Sequence, residues 1–160
     1  MSYPKFIFLL LFLIVSGAIS QVSAQTSADS EATATSDLVV RVQSFFNNLE
    51  DPSVNAEAAF NDLLNDSPLL VKRPEQLDTF VESYKMIEAS YGRFLVAKQV
   101  HVKQVGDDLT FLTFLYETER FPIVWRIAFY RPPIEAAERV DWFVVRLSFD
   151  TKIEELSNLP

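Results

Sequence analysis

The spacing of the apolar residues changes once along this chain, at Gly92, and this change limits the folds that it can form. Before Gly92, apolar residues recur every three or four positions, which is the period of an amphipathic helix. After Gly92 they largely alternate, as in a β-strand. Glycine is also common where a helix ends, because it adopts the left-handed conformation at little cost. The sequence therefore predicts helices followed by a sheet, the order of an α+β fold.

Three helices are predicted in the first part of the chain. The first begins at Ser36, a favourable N-cap residue, and the third follows Pro74, since proline suits the first helical position. The second lies between chain breaks at 51–53 and 66–68, and a short apolar link, 69–72, precedes the third. The three apolar stripes consist of Leu38, Val42, Phe45, Phe46 and Leu49; of Ala56, Ala59, Phe60, Leu63 and Leu64; and of Leu77, Phe80, Val81, Tyr84, Ile87 and Tyr91.

Four strands are predicted after the helices, over residues 94–105, 109–119, 123–131 and 142–149. Their connections are short, which makes consecutive strands antiparallel neighbours. The last residues, 152–159, are expected to add a helical turn. We therefore expect three helices packed on one face of a curved four-stranded antiparallel sheet.

The turn between the second and third strands decides which sheet face meets the helices. A tight turn after Glu119 would pair Phe114 with Trp125 and Leu112 with Ile127. The predicted helix-facing set is then Leu112, Phe114, Tyr116, Ile123, Trp125, Ile127 and Phe129, with Phe143, Val145, Leu147 and Phe149 from the fourth strand. The predicted outer face carries Phe111, Thr113, Leu115, Glu117, Val124, Arg126, Ala128 and Tyr130, with Trp142, Val144, Arg146 and Ser148.

The first residues have the layout of a secretory signal peptide: one cation, Lys5, then the apolar run 6–15, then small residues ending at Ala24. A bilayer-spanning helix needs about 20 apolar residues, so this run is short for a membrane anchor, although an uncleaved anchor stays an alternative. We predict a signal peptide at 1–24, a flexible polar tether at 25–36 and a single α+β domain at 37–160. The expected location is the periplasm or the medium, with membrane contact only through the signal peptide.

Composition excludes several classes of function. The net charge is −8, which argues against nucleic acid and anionic membrane surfaces as partners, because both attract basic patches. The chain has no cysteine and only one histidine, His101, so no metal site is predicted. It also has no glycine-rich phosphate loop and no dinucleotide fingerprint, so no cofactor is predicted. With no disulfide available, packing alone must hold the domain.

Two groups of candidate functional residues follow from the predicted faces. Arg126 and Arg146 lie on neighbouring strands, and a pair of planar guanidinium groups suits a carboxylate; the alternative is two solvated or Glu117-paired cations. His101 is either a general base or an ordinary strand histidine. The full set of binding candidates is His101, Tyr116, Arg126, Tyr130 and Arg146.

The second group is a candidate dimer surface on the outer face. Aromatic residues and arginine are enriched at interfaces, and this face has more apolar side chains than solubility requires. The alternative is a solvated sheet surface with scattered apolar groups. The residues predicted for this surface are Phe111, Val124, Trp142 and Val144.

The helices followed by an aromatic-rich meander resemble the NTF2-like superfamily, the cystatin-like α+β roll. The run Pro122-x-x-Trp125-x-Ile127-x-Phe129-Tyr130-Arg131-Pro132, with Trp142-x-Val144 and Phe149-Asp150, is similar to small exported bacterial proteins of unknown function with this fold. The resemblance covers about residues 37–156. One departure is that only 69–72 is available where many members have an extra strand or hairpin.

The resemblance implies one of two kinds of function. Some members are enzymes, ketosteroid isomerase-like or polyketide cyclase-like, that use an Asp base with Tyr, Asp or His partners on a hydrophobic small molecule. No residue of this chain matches that set, although Tyr84, Tyr116 and His101 are candidates to line a cavity. Other members are non-catalytic modules that dimerise through the sheet or bind ligands.

Three hypotheses therefore stand. The first is an exported non-catalytic module that forms a homodimer through the outer face or binds a small apolar or anionic ligand. The second is an enzyme of the isomerase or cyclase type, with a cavity that contains a carboxylate of raised pKa. The third is an envelope protein whose acidic surface steers it to a basic partner.

Overall fold

The computed structural model describes residues 22–65, 67–133 and 141–159, with residues 22–32 described by their backbone alone. Four helices come first: α1 (Val22–Glu50), α2 (Ala56–Leu63), α3 (Pro68–Lys72) and α4 (Gln76–Tyr91). Four strands follow: β1 (Phe94–Val105), β2 (Leu109–Thr118), β3 (Ile123–Tyr130) and β4 (Phe143–Asp150), and then a 3₁₀ helix, Ile153–Asn158. The sheet is open and antiparallel, in the order β1-β2-β3-β4. The predicted α+β class is therefore confirmed.

The ends of the helices follow local rules. Ser67 caps α3, since its side chain accepts a hydrogen bond from the backbone N–H of Leu69, and Pro68 takes the first helical position. Gly92 ends α4 with a φ of 86°, as predicted, and a Cβ on it would lie 2.9 Å from a carboxylate oxygen of Glu119. The apolar link predicted at 69–72 is the short helix α3.

The structure differs from the prediction at the start of α1. The helix begins at Val22, whereas the sequence pattern predicted a flexible tether at 25–36 and a first helix from Ser36. The segment lacks apolar periodicity, but no glycine or proline interrupts the chain between Gly17 and Pro52, and alanine, the best helix former, recurs along it. The predicted signal peptide lies mostly outside the described residues. In the part of the chain that the structure describes, no helix is long and apolar enough to cross a membrane.

Aromatic side chains fill the space between the helices and the sheet. Trp125 is fully buried, and the ring centroids of Phe45 and Phe46 of α1 lie 5.6 and 5.4 Å from its own, both in edge-on geometry. Phe60 of α2 and Phe149 of β4 also contact Trp125. Each such aromatic pair contributes about 0.5–1.5 kcal/mol beyond its buried area. These contacts centre the buried core on Trp125.

The register of β2 and β3 is as predicted, with Phe114 paired to Trp125 and Leu112 to Ile127. The helix-facing assignment of these two strands is confirmed because every member is buried in the core. The confirmed residues are Leu112, Phe114, Tyr116, Ile123, Trp125, Ile127 and Phe129.

The faces of β4 are only partly as predicted. Leu147 is buried in the core and the ring of Phe149 stacks on Trp125 at 4.2 Å, in agreement with the sequence pattern. A register shift between Ala128 and Phe129 then skips Val145 on the facing strand. Such a bulge reverses the alternation of every residue beyond it. The placement of Val144 and Trp142 on the outer face is therefore wrong: Val144 is fully buried in the core and Trp142 packs against it.

The C-terminal segment lies against the outer face of the sheet. Glu155 of the 3₁₀ helix pairs with Arg126 of β3 at 2.8 Å, and Leu159 lines a cavity together with side chains of β1, β2 and β3. Val124, at the same face, has no exposed surface. The outer face is therefore partly covered by the chain itself.

Candidate functional site

The outer face holds a cavity of about 260 Å³ beside the C-terminal segment. Its apolar lining comes from Phe111, Leu112, Ile127, Ala128 and Leu159. Its polar lining consists of Thr113 and four nitrogen-bearing side chains, His101, Lys103, Arg126 and Arg146. We call this the outer cavity. An apolar floor with a few convergent polar groups is the usual character of a small-molecule site.

Strand pairing explains why the four nitrogen-bearing residues meet. His101 of β1 pairs with Thr113, and Thr113 pairs with Arg126 across the next ladder. Lys103 and Arg146 lie one alternation further along, beside Phe111 and Ala128. Residues two apart share a sheet face, so adjacent pairs on neighbouring strands form one continuous patch.

The charges around the outer cavity are unequally compensated. Arg126 pairs with Asp150 at 3.0 Å and with Glu155 at 2.8 Å. Burial opposes the ionisation of Asp150, but hydrogen bonds from Lys152 N and Arg126 outweigh it, so the pKa of Asp150 is lowered. Among the described residues, Lys103 and Arg146 have no ion-pair or hydrogen-bond partner for their side chains. Positive charge is therefore left over at this cavity, although the whole chain carries −8.

Three of the five predicted binding residues, His101, Arg126 and Arg146, come together here. Tyr130 lies on the same face, paired with Leu109 and Phe143, but does not line the cavity. Sequence reasoning missed Lys103 and Leu159. The position of Lys103 two residues after His101 was a usable signal, because the two must share a face. No local signal indicates that Leu159 folds back onto the sheet.

The candidate dimer surface does not exist as one exposed patch. Val144 and Trp142 pack on the helix side of the sheet, and Val124 is buried on the other side. Only Phe111 of the four lines an accessible part of the outer face. Dimerisation stays an untested prediction, but these residues do not define its surface.

A second cavity, of about 350 Å³, lies where the ends of α1 and α4 meet the sheet. We call it the rim cavity. Its lining is Leu49, Glu50, Pro52, Tyr84, Ile87, Glu88, Gly92, Arg93, Phe94 and Tyr116. The fifth predicted binding residue, Tyr116, is therefore here, together with Tyr84 but without His101. The two cavities share no lining residue.

Glu50 is the central polar group of the rim cavity. Its Oε1 accepts a hydrogen bond from the hydroxyl of Tyr116, and the hydroxyl of Tyr84 lies 3.5 Å from the same oxygen and 3.2 Å from the carbonyl of Leu49. Burial raises the pKa of Glu50, and the hydrogen bonds from the two tyrosines only partly offset this. Burial also raises the pKa of Tyr84 to about 12, so this phenol keeps its proton.

Within the described ranges, no group of three or more histidine, aspartate and glutamate side chains could hold a metal ion. The chain was also compared with protein-family models, with curated proteins and with solved structures, and none of them matches it. The NTF2-like resemblance is therefore still a prediction.

Proposed function

We propose that this protein is a non-catalytic, NTF2-like ligand-binding module whose outer cavity binds a small amphipathic organic anion, such as a short-chain or aromatic carboxylate. The observation that carries the proposal is the combination of His101, Lys103, Arg126 and Arg146 around an apolar floor on an acidic protein. Export through a signal peptide is part of the proposal.

The chemistry of the lining selects the ligand class. Phe111, Ala128 and Leu159 offer apolar contact, which favours a hydrocarbon or aromatic body over a fully hydrated ion such as phosphate. Arg146 and Lys103 offer cationic hydrogen-bond donors to a carboxylate, and such charge-assisted bonds are the stronger kind. The volume of about 260 Å³ is below the range of roughly 300–1,000 Å³ for drug-sized ligands, so the ligand is small.

Calorimetric titration with octanoate, octan-1-ol and octylammonium tests this proposal. The three probes share one alkyl chain and differ in charge, so we expect octanoate to bind at least about tenfold more tightly than the other two. Arg146→Gln should weaken octanoate binding by about tenfold, because it removes an exposed cation and leaves the core intact. Lys85→Gln, on the exposed side of α4, removes the same charge far from the cavity and serves as the control. Equal binding of octanoate and octanol, or an unchanged Arg146→Gln variant, would contradict the proposal.

The isomerase or cyclase alternative has one observation in its favour, the Glu50 carboxyl of raised pKa in the rim cavity. The hydrogen-bond pattern gives it less support. The hydroxyl of Tyr116 donates to Glu50, and that of Tyr84 has the Leu49 carbonyl as its nearer acceptor. An enzyme that forms an enolate needs donors aimed at the substrate oxygen, and these two phenols are already engaged.

A further inference from the structure

We propose that the rim cavity is a binding site for a small organic ammonium cation, held by Glu50 and Glu88 beside the rings of Tyr84 and Phe94. This inference is independent of the anion proposal, because the two cavities have no residue in common.

The rim cavity lies between the C-terminal ends of two helices. α1 ends at Glu50 and α4 ends at Tyr91, and residues from both ends line the cavity. A helix C-terminus carries about half a negative charge, which a basic residue in the last turn commonly offsets. Neither helix has a basic residue in its last turn. Two helix ends and two carboxyl groups therefore meet at one cavity, and the end of α4 is partly offset by Arg120, which donates to the Ser90 carbonyl at 3.3 Å.

Arg93 is the cationic residue among those that line the rim cavity. Arg93 donates from Nε and Nη2 to Oε1 of Glu119, at 3.1 and 2.8 Å, and most of its side chain is exposed. Its charge is thus largely offset by Glu119, whose pKa this arginine holds below its ordinary value. The groups that face Glu50 are Tyr116 from β2 and Tyr84 and Glu88 from α4, and none of these is cationic at neutral pH.

Aromatic side chains form part of the lining of the rim cavity. The rings of Phe94 and Tyr116 are in contact, with their centroids 4.4 Å apart, and Tyr84 completes an aromatic lining around the carboxyl. Aromatic faces attract cations, and the attraction grows when water is excluded. A hydrated metal ion would make no use of these rings, whereas an alkylammonium group can contact the rings and the carboxylates together.

The pH dependence of binding follows from the same groups. Burial raises the pKa of Glu50 above its ordinary value, and a bound cation favours the ionised form and so lowers it again. Binding of the cation should therefore weaken as the pH falls through the pKa of Glu50. A variant without this carboxylate should show a flatter profile.

The experiment compares n-butylammonium, butyltrimethylammonium and butan-1-ol by NMR titration of the full domain, with the Tyr84 and Tyr116 rings as reporters. We expect either cation to bind at least about tenfold more tightly than the neutral alcohol. Glu50→Gln should reduce cation binding by about tenfold or more and remove most of the pH dependence, while it retains an acceptor for Tyr116. Glu88→Gln, at an exposed position, should weaken binding a few-fold even if Glu50→Gln folds poorly.

The matched control is Glu82→Gln, which removes an exposed carboxylate from the same helix, α4, outside the cavity. This variant should bind the cations as the unmodified protein does. Equal affinity for butanol and butylammonium, no cation binding at millimolar concentration, or equal losses in Glu82→Gln and Glu88→Gln would each overturn the inference. Octanoate binding at the outer cavity is measured separately, so either proposal can fail alone.

Discussion

The two faces of the sheet are closed by different means. On the helix side, aromatic rings from α1 and α2 pack around Trp125, and the middle of this face is buried. On the outer side, one short segment is attached through the ion pairs of Arg126, and a cavity with uncompensated cations stays open beside it. Dense apolar packing around Trp125 stabilises the domain, whereas cavities remain at the rim of the helix side and beside the polar attachment on the outer side.

The largest expected effect tests whether the Val144 side chain lies on the helix side of the sheet. Val144→Asp places an unpaired carboxylate in the core, so we expect a loss of at least about 3 kcal/mol in the free energy of unfolding, or failure to fold. Val105→Asp, on an exposed part of β1, should cost about 1 kcal/mol or less. Urea denaturation of both variants measures the difference. Similar small losses in both would mean that the bulge in β4 is misplaced.

The next effect concerns the hydrogen bond that ties the helices to the edge strand. The Ser67 hydroxyl donates to the carbonyl of Val144 and also caps α3, and Ser67 is buried. Ser67→Ala leaves that carbonyl without its partner, so we expect a loss of about 1–3 kcal/mol. Ser90→Ala, at an exposed position near the end of α4, should be close to neutral. A neutral Ser67→Ala variant would show that α3 does not depend on this contact.

A smaller effect should show that the C-terminal segment on the outer face can loosen without loss of stability in the core. Arg126→Gln removes the ion pair with Glu155 that attaches the C-terminal segment and the ion pair with Asp150 at the end of β4, and partly exposed pairs contribute about 0–1 kcal/mol each. Hydrogen exchange should rise in residues 151–159 while the exchange of β3 changes little. Asp150 contributes stability above its ordinary pKa, and this is lost as the pH falls through its lowered pKa in the folded state. In Arg126→Gln the acid-induced loss should therefore begin at a higher pH.

The smallest expected effect has the opposite sign: replacing Glu50 in the rim cavity should stabilise the protein slightly at neutral pH. The folded state raises the pKa of Glu50 above its ordinary value of 4.5, so the folded chain binds this proton more tightly than the unfolded chain. Ionised Glu50 therefore lowers stability as the pH rises above about 4.5. We expect Glu50→Gln to match the unmodified protein at lower pH and to be slightly more stable at neutral pH. Thermal melts from pH 3 to pH 8 measure this, and a variant that is less stable at neutral pH would contradict it.

The sequence pattern correctly predicted helices followed by four strands, the limits of β1, the pairing of Phe114 with Trp125 and the helix-facing set on β2 and β3. These features depend on local period and on short turns, which adjacent residues encode. Three of the ten residues that line the outer cavity could also be predicted, because His101, Arg126 and Arg146 lie on faces that the alternation predicts.

The positions of Val144, Glu50 and Leu159 depend on tertiary contacts that the sequence pattern does not show. A single bulge reversed the alternation in β4, because the residue that a strand skips is chosen by the contacts of the whole sheet. Glu50 ends a helix far from Tyr84 and Tyr116 in sequence, and only packing of α1 and α4 on the sheet joins the three into one site. The return of the C-terminal segment to the outer face depends likewise on a long-range ion pair, between Arg126 and Glu155, which no local pattern specifies.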